Sequence, residues 1–355
     1  MSVPATILQE LVEPITSVVI DSGVAYKLIK HTTDAFPGTV SGFLLGLDQA
    51  STLTVSHAVP FPSSSESGSD DSISAKSKGN VKYQADMIEG LKQVNVDANA
   101  VGYYVSSYMG NFFNQSLIDH SLGFQLNNPN SIVIVHDVAR STQGSLFLKA
   151  YKLSDAFRAA HSASNGKFST EAVIKAKLSY RNVLQELPVQ IKNSHLSVAL
   201  LQQLDQPTFD KAVDGADVDP TTLNPASAIS QNFDSLDLTI DPFLEKSVEY
   251  LLESVDEYYT EQGTHSYFQR QMAREQSKVQ SWLQKTRAEN ANRKANNLPL
   301  INEDDWQKHY KLPTEPSRLD NLVISAQINQ YCSQIEEYSS VVSTKLFATQ
   351  KGLIN

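Results

Sequence analysis

Residues 101–119, VGYYVSSYMGNFFNQSLID, restrict the fold of this chain more than any other stretch. Val101–Tyr104 reads as a buried strand that runs into a polar loop carrying Ser106, Ser107, Tyr108 and Gly110. An S-x-x-D step, Ser116 to Asp119, then opens a helix. A strand that ends in a polar loop and feeds a helix is where α/β proteins place their chemistry. This loop offers hydroxyls and one carboxylate, with no histidine, cysteine or lysine. The position suits a site, but the usual ligands and bases are missing from it.

At 355 residues the chain has material for two domains of roughly 150 residues each. Its formal charge of −10 argues against a nucleic-acid footprint along the whole chain, because displacing counterions from phosphates takes a basic excess. Cys332 is the single cysteine, which excludes an intramolecular disulfide and suits a reducing compartment. The opening residues lack a basic stretch followed by an apolar core, and no apolar run reaches the roughly 20 residues that span a membrane. The expectation is an acidic, soluble, cytoplasmic protein with no membrane partner.

Upstream of residue 101, Ser17–Asp21 reads as a strand of β-branched residues. Ser22 is expected to cap a helix with Val24, Leu28 and Ile29 on one face. Phe36-Pro37-Gly38 is a turn, and Val40–Leu47 and Leu53–Val59 form a hairpin across Asp48-Gln49-Ala50-Ser51. Residues 62–80 are serine-rich and charged and read as a flexible surface insertion. Met87, Leu91 and Val94 mark a helix over Tyr83–Val94. Downstream, Ser131–Val138 and Ser145–Lys152 are predicted strands and Ala172–Gln185 an amphipathic helix. Leu187–Ile191 follows as a strand and Leu196–Leu204 as a helix. Strands and helices interleave, so residues 15–205, after a tail at 1–14, read as one α/β domain.

Composition then shifts. Residues 206–240 are rich in Asp, Pro, Thr, Asn and Ser and read as a linker, and 241–355 read as a helical region that Asp241-Pro242 opens as N-cap and first residue. Val248, Leu251, Leu252, Val255 and Tyr259 trace a stripe on the first helix, with a break near Gly263 before a polar helix through Leu283. Asn290–Asp305 reads as a connection. Beyond Pro316, Ile324, Ile328, Tyr331, Ile335, Tyr338 and Val342 follow at steps of 4, 3, 4, 3 and 4. That is a heptad seam, which packs along another helix of this chain or of a partner. Arg270, Arg274, Lys278, Lys285, Arg287, Arg293 and Lys294 form a basic stretch, read as a solvated helix face or an RNA contact.

FPGTVSGFLLG (Phe36–Gly46), the block Tyr83–Gly110 and SLID (Ser116–Asp119) resemble, in this order, the MPN fold of the JAMM metalloproteases. The resemblance covers roughly residues 15–205. It implies a mixed sheet flanked by helices, followed here by long C-terminal α-helices. It also implies where a zinc site would lie. Active members carry a Glu three residues before the first glycine of a G-x-x-x-G strand, then H-x-H-P, then S-x-x-D. In this chain the glutamate position is Thr39, the histidine positions are Val105 and Ser107, and the proline is Tyr108. Only Asp119 matches, with a spacing one residue longer than in active members. A catalytic zinc normally takes three protein ligands, so the resemblance implies an inactive MPN domain without metal or cofactor.

The block Tyr83–Gly110, Leu187–Leu204 and the order of MPN domain, linker and long helices are most similar to the non-catalytic MPN subunits of eukaryotic translation initiation factor 3. That likeness implies a cytoplasmic scaffold that faces a second MPN subunit and sends its C-terminal helices into a bundle shared with other subunits. It also implies action on the small ribosomal subunit in recruiting mRNA and initiator tRNA. MPN scaffolds of the proteasome lid and the signalosome share the fold and stay open as alternatives. A JAMM-type isopeptidase is opposed by Thr39, Val105 and Ser107.

Other side chains near the stretch have plainer uses. His120 follows Asp119 directly, and adjacent residues of a helix face different ways. His57 reads as solvated, and His136-Asp137 as a local hydrogen-bonding pair at a strand end. No G-x-S-x-G surrounds Ser106 or Ser107. Asp119 reads as a charge favoured by a helix N-terminus. Asn114-Gln115-Ser116 matches a glycosylation sequon, which has no use in the cytosol.

Overall fold

The computed structural model describes residues 14–49, 51–62, 78–94, 96, 99–141, 146–164, 166–205, 243–295, 302, 306 and 310–354. Alternation places Val18 and Ile20 of strand β1 (Ser17–Asp21) in the core, and helix α1 (Ser22–Asp34) follows without a loop. Asp21 is the N-cap and makes no side-chain cap bond. Ser22 is therefore the first helical residue rather than the cap, and its hydroxyl donates to Ser197 Oγ at 3.1 Å. Val24, Ala25, Leu28 and Thr32 form the buried stripe of α1, with Ile29 at its edge.

The expected hairpin is β2 (Ser41–Gln49) and β3 (Thr52–Pro60), antiparallel with a bulge between Leu45 and Gly46. Strand β4 (Asn99–Ser107) pairs antiparallel with β2, and β5 (Ile132–Asp137) pairs parallel with β4. β6 (Leu148–Leu153) and β7 (Leu184–Leu187) extend that side antiparallel. On the other side β1 lies parallel to β3 and to β8 (Val189–Lys192). The result is one mixed eight-stranded sheet in the order β7-β6-β5-β4-β2-β3-β1-β8.

The edge strands β7 and β8 are separated in sequence by Pro188 alone, and Val18 N–H donates to the Pro188 carbonyl at 3.0 Å. One residue spans about 3.5 Å, so the sheet curls until its two edges nearly meet. The strand predicted over Leu187–Ile191 is thus two strands. Pro188 has no N–H to continue a ladder and marks the corner.

Two apolar layers cover the sheet. Val18, Ile20, Leu44, Leu53, Val55, Ile132 and Ile134 pack with α1. Phe43, Leu45, Val59 and Phe61 pack with Tyr83, Met87, Ile88 and Leu91 of α2 (Lys78–Gln93) and with Phe124 of α3 (Gln115–Asn127). Burial on both faces explains why all six residues of β5 are buried and why its first four, Ile132–Val135, form an unbroken apolar run. Because α2 starts at Lys78, the last residues of the predicted 62–80 insertion are helical, while 63–77 lie outside the described residues. Val94 falls past the helix end and is exposed.

Between β6 and β7 the sequence reading fails. A one-turn helix α4 (Val138–Ser141) follows β5, and α5 (Asp155–Ser164) has no counterpart among the predicted elements, because its ten residues bury only Phe157 and Ala160. The helix predicted over Ala172–Gln185 stops early. α6 spans only Thr170–Lys175, buries nothing and ends before Lys177, whose φ is 50°. A 3-10 turn at Tyr180–Asn182 then leads into β7. With no buried face, α6 has little to extend it.

Helix α7 (His195–Asp205) closes the predicted domain. The linker and the Asp241-Pro242 cap lie outside the described residues. α8 (Phe243–Ala295) is one unbroken helix of 53 residues. Gly263 lies in its interior, where a glycine costs about 1 kcal/mol of helix propensity without interrupting the helix. α8 also takes in the first part of the predicted 290–305 connection. α9 (Leu319–Ile354) is the last helix. No helix of the described residues is long and apolar enough to cross a membrane.

The chain divides into two compact units, and neither follows the sequence boundary at residue 205. One comprises Met1–Ser154, Leu184–Ser247 and Gln330–Asn355, and the other Asp155–Val183 and Val248–Asn329. Inside the second unit, Arg318 N–H donates to Phe168 O at 2.9 Å, and Thr170 N–H donates to Glu315 Oε1 at 2.9 Å. Arg318 Nη2 also lies 2.6 Å from His265 Nε2. Partial desolvation and the Arg318 charge hold His265 below its ordinary pKa, and the Thr170 hydroxyl bond holds Glu315 below its own.

Candidate functional site

Ser106 and Ser107 end β4 instead of lying in the loop after it, and the parallel pairing sets Ser106 beside His136 and Ser107 beside Asp137. Ser106 N–H donates to Val40 O at 2.8 Å, and Ser106 Oγ accepts from Val40 N–H at 2.7 Å. These two bonds draw Thr39 and Val40 alongside the end of β4. Three of the degenerate positions, Thr39, Val105 and Ser107, are therefore gathered at one strand end. Thr39 is exposed, Val105 is half-buried between Ser41 and Val135, and Ser107 is 3% exposed. The Ser107 hydroxyl has no hydrogen-bond partner among the described residues. Tyr108, at the proline position, lays its ring on Phe36 with centroids 5.6 Å apart.

Gly42, the first glycine of the G-x-x-x-G strand, is required by close approach. A Cβ there would stand 2.6 Å from the Tyr104 hydroxyl and press on the Val59 carbonyl. Tyr104 instead reaches His31 Nδ1 at 2.9 Å.

Asp119 belongs to the second turn of α3 and is exposed, and the first turn carries no acidic residue. The helix-terminus role expected for it is therefore not available, since that field fades within one turn. Asn114 is the N-cap, without a side-chain cap bond. His120 sets its ring edge against Tyr103 at 6.3 Å, and His57 Nδ1 meets Ser56 Oγ at 3.0 Å. Among the described residues, no three His, Cys, Asp or Glu side chains converge as a metal site would require.

The side chains that organise this strand end are His136 and Asp137. His136 Nδ1 is 2.7 Å from Thr32 Oγ1 and Nε2 is 3.0 Å from Ser141 Oγ. Burial pushes its pKa down to about 4, so the ring is neutral at pH 7. Both nitrogens are engaged by hydroxyls, and Ser141 itself donates to Asp137 O at 2.7 Å and accepts from Phe147 N–H. Because Ser141 gives its proton to the Asp137 carbonyl and not to the ring, these residues form a structural hydrogen-bonded chain.

Asp137 is fully buried and accepts from the N–H groups of Met109 at 3.2 Å, Gly110 at 2.5 Å and Arg140 at 3.2 Å. Burial raises its pKa, and those donors and the Arg140 charge oppose the rise. Asp137 thereby holds the β4–α3 loop in place through Met109 and Gly110, whose φ angles are 52° and 77°. A signal for this was present: an Asp that ends a strand directly before a helical turn is an N-cap candidate.

Along α9, Ile324 and Tyr331 of the predicted seam are buried, and Ile328, Ile335, Tyr338 and Val342 are partly so. The stripe on α8 is placed differently. Leu251 and Val255 are partly covered, but Val248 is 38% exposed, Leu252 59% and Tyr259 69%. The buried positions of α8 are Ser247, Ser254, Val279 and Thr286, and this line of mostly small polar residues gives no apolar periodicity to read. In the basic stretch, Lys278 pairs with Glu275 and Arg293 with Glu289 on the same helix, at 2.7 Å each.

Two family models match the chain. One, described as the C-terminal region of eIF3h, covers residues 141–215 and 220–353. The other, described as JAB1/Mov34/MPN/PAD-1 ubiquitin protease, covers residues 13–130. Curated relatives match over nearly the whole length. A protein of Yarrowia lipolytica, named as the H subunit of eukaryotic translation initiation factor 3, is 42% identical, over 96% of this chain and 99% of its own. Proteins of the same name from Aspergillus niger and Coccidioides immitis are 40% and 41% identical, over 96% and 98% of this chain and 97% and 98% of their own.

Proposed function

This chain belongs to the eIF3h family, the H subunits of eukaryotic translation initiation factor 3, and from that premise we propose that it serves the factor as a non-catalytic scaffold. Its MPN domain would face a second MPN subunit. Its C-terminal helices would join those of other subunits in the cytoplasm, and through them it would support mRNA and initiator tRNA recruitment on the small ribosomal subunit.

The observation that carries this reading is the apolar surface left on three helices. On α7, Leu196 is 84% exposed and Leu200 55%. Leu252, Tyr259 and Tyr267 stand out on α8, and Val341, Leu346 and Phe347 on α9. Large apolar side chains recurring along helices are what a multi-subunit assembly covers. The strand end of β4 supports the same reading, since Val105 has no donor atom, Thr39 and Ser107 are neutral, and Asp119 is a single carboxylate. That set does not fit a zinc ion. The basic stretch at 270–294 is proposed as a solvated face, with RNA contact as the alternative.

The test is a mild-salt purification of the tagged full-length chain, with partners identified by mass spectrometry and zinc measured in the same eluate. Initiation factor 3 subunits with small-subunit ribosomal proteins are expected, and no stoichiometric zinc. Proteasome-lid or signalosome subunits would move the scaffold to another assembly. One equivalent of zinc would overturn the non-catalytic reading.

A further inference from the structure

From Gln330 onward, α9 belongs to the same compact unit as the sheet, and three side chains at helical spacing make the contact. Gln334 seats on Gly110. At the glycine's φ of 77°, strained for any other residue, a Cβ would fall on the Gln334 amide and displace that side chain. Glu337 pairs with Arg140, whose guanidinium lies 4.1 Å from the centre of the Phe147 ring. Tyr338 stacks on Phe243, the first residue of α8, at 6.3 Å. The loop under Gln334 is the one that Asp137 holds, directly after Val105, Ser107 and Tyr108.

Two features keep this contact from being tight. Gln334 is 1% exposed, yet neither atom of its amide has a hydrogen-bond partner among the described residues. A buried amide left unpaired subtracts from the stability of whatever buries it. The Glu337 side chain is 61% exposed, so the ion pair is half in water and weakens with salt. The heptad face of α9, through Tyr331, Ile335 and Tyr338, is already in use within the chain. Just beyond it, Val341 and Leu346 stand exposed on either margin of the seam, where an incoming apolar helix face would first touch.

We infer that α9 from Gln330 onward is a latch, closed on the 108–112 loop in the free chain and opened when a helix of another initiation factor 3 subunit takes the seam. One face cannot hold both occupants, so partner binding and self-docking compete, and whatever weakens the closed contact favours assembly. The inference rests on the scaffold reading above.

The test is amide hydrogen exchange over residues 330–347 of the full-length chain, alone and after addition to the initiation factor 3 assembly depleted of this subunit. Arg140→Glu should speed exchange there about tenfold and raise the rate of incorporation. Arg140→Glu combined with Glu337→Arg should restore slow exchange. Gln334→Leu, which removes the unpaired amide, should slow both exchange and incorporation. Unchanged exchange in Arg140→Glu, with the sheet still protected, would overturn the latch. So would an unchanged rate of incorporation in Arg140→Glu when its exchange over 330–347 has quickened. If the wild-type chain fails to incorporate while the variants shift exchange as stated, the scaffold reading falls and the closed contact stands.

Discussion

At pH 7 the imidazole of His136 is neutral between two hydroxyls, and this has a consequence for acid stability. Its folded pKa of about 4 lies below the roughly 6.5 of an unfolded histidine, so between these values the unfolded chain binds the extra proton. The contribution is complete above pH 6.5 and is lost as pH falls towards 4, amounting to about 3 kcal/mol by then. Asp137 acts in the opposite sense. Burial raises its pKa, so the fold gains as pH falls through that value, which blunts the histidine's loss. Urea denaturation from pH 7 to 4 should show stability falling with pH. In His136→Asn the slope should shrink or reverse, whatever the variant's stability at pH 7, and an identical slope would refute the assignment. The absence of histidine from 101–119 was legible in the sequence. The service of His136 and Asp137 as the organisers of that strand end was not, because it depends on β4 and β5 lying side by side in register.

Among the elements, the seam on α9 and the stripe on α8 look alike in sequence and differ in the folded chain. A heptad pattern says that a face is apolar and leaves open what covers it. On α9 the face is covered within the chain, whereas on α8 Leu252 and Tyr259 stand in water. Substituting both with lysine should leave the urea midpoint of the isolated chain within about 0.5 kcal/mol of wild type, as exposed positions do. Incorporation into initiation factor 3 should drop at least about tenfold, the loss of roughly 1.4 kcal/mol or more. Equal incorporation would mean that this face is not an interface. The strands read well because alternation and β-branching are local properties: β1 lies where it is predicted to the residue, and the β2–β3 hairpin nearly so. The helix predicted over Ala172–Gln185 failed because its apolar residues are divided among a short helix, a turn and strand β7, a division that sheet pairing makes.

For the whole molecule, the units cut across the chain order, so the segment Asp155–Val183 depends on residues more than a hundred positions away. Ending the chain at Asp205 removes Arg318 and Glu315, the partners of Phe168 and Thr170, together with His265, which meets Arg318. Such a truncation should keep the sheet, lose assembly, and become cleavable within 155–183 under limited proteolysis at protease levels that leave the full chain intact. Equal resistance would show that the segment stands without the C-terminal helices. Residue types and their spacing were enough to establish that an α/β layer structure precedes long helices, that residues 105–107 include no histidine, cysteine or carboxylate, and that the long helices bear apolar stripes. Such properties act over a few positions of chain, so no fold is needed to read them. Long-range packing was needed to establish that the sheet curls shut at Pro188, that Asp137 clasps the 108–112 loop, and that Gln334 rests on Gly110. Those contacts join residues far apart in sequence, and their geometry arises only once the strands have paired and the helices have packed.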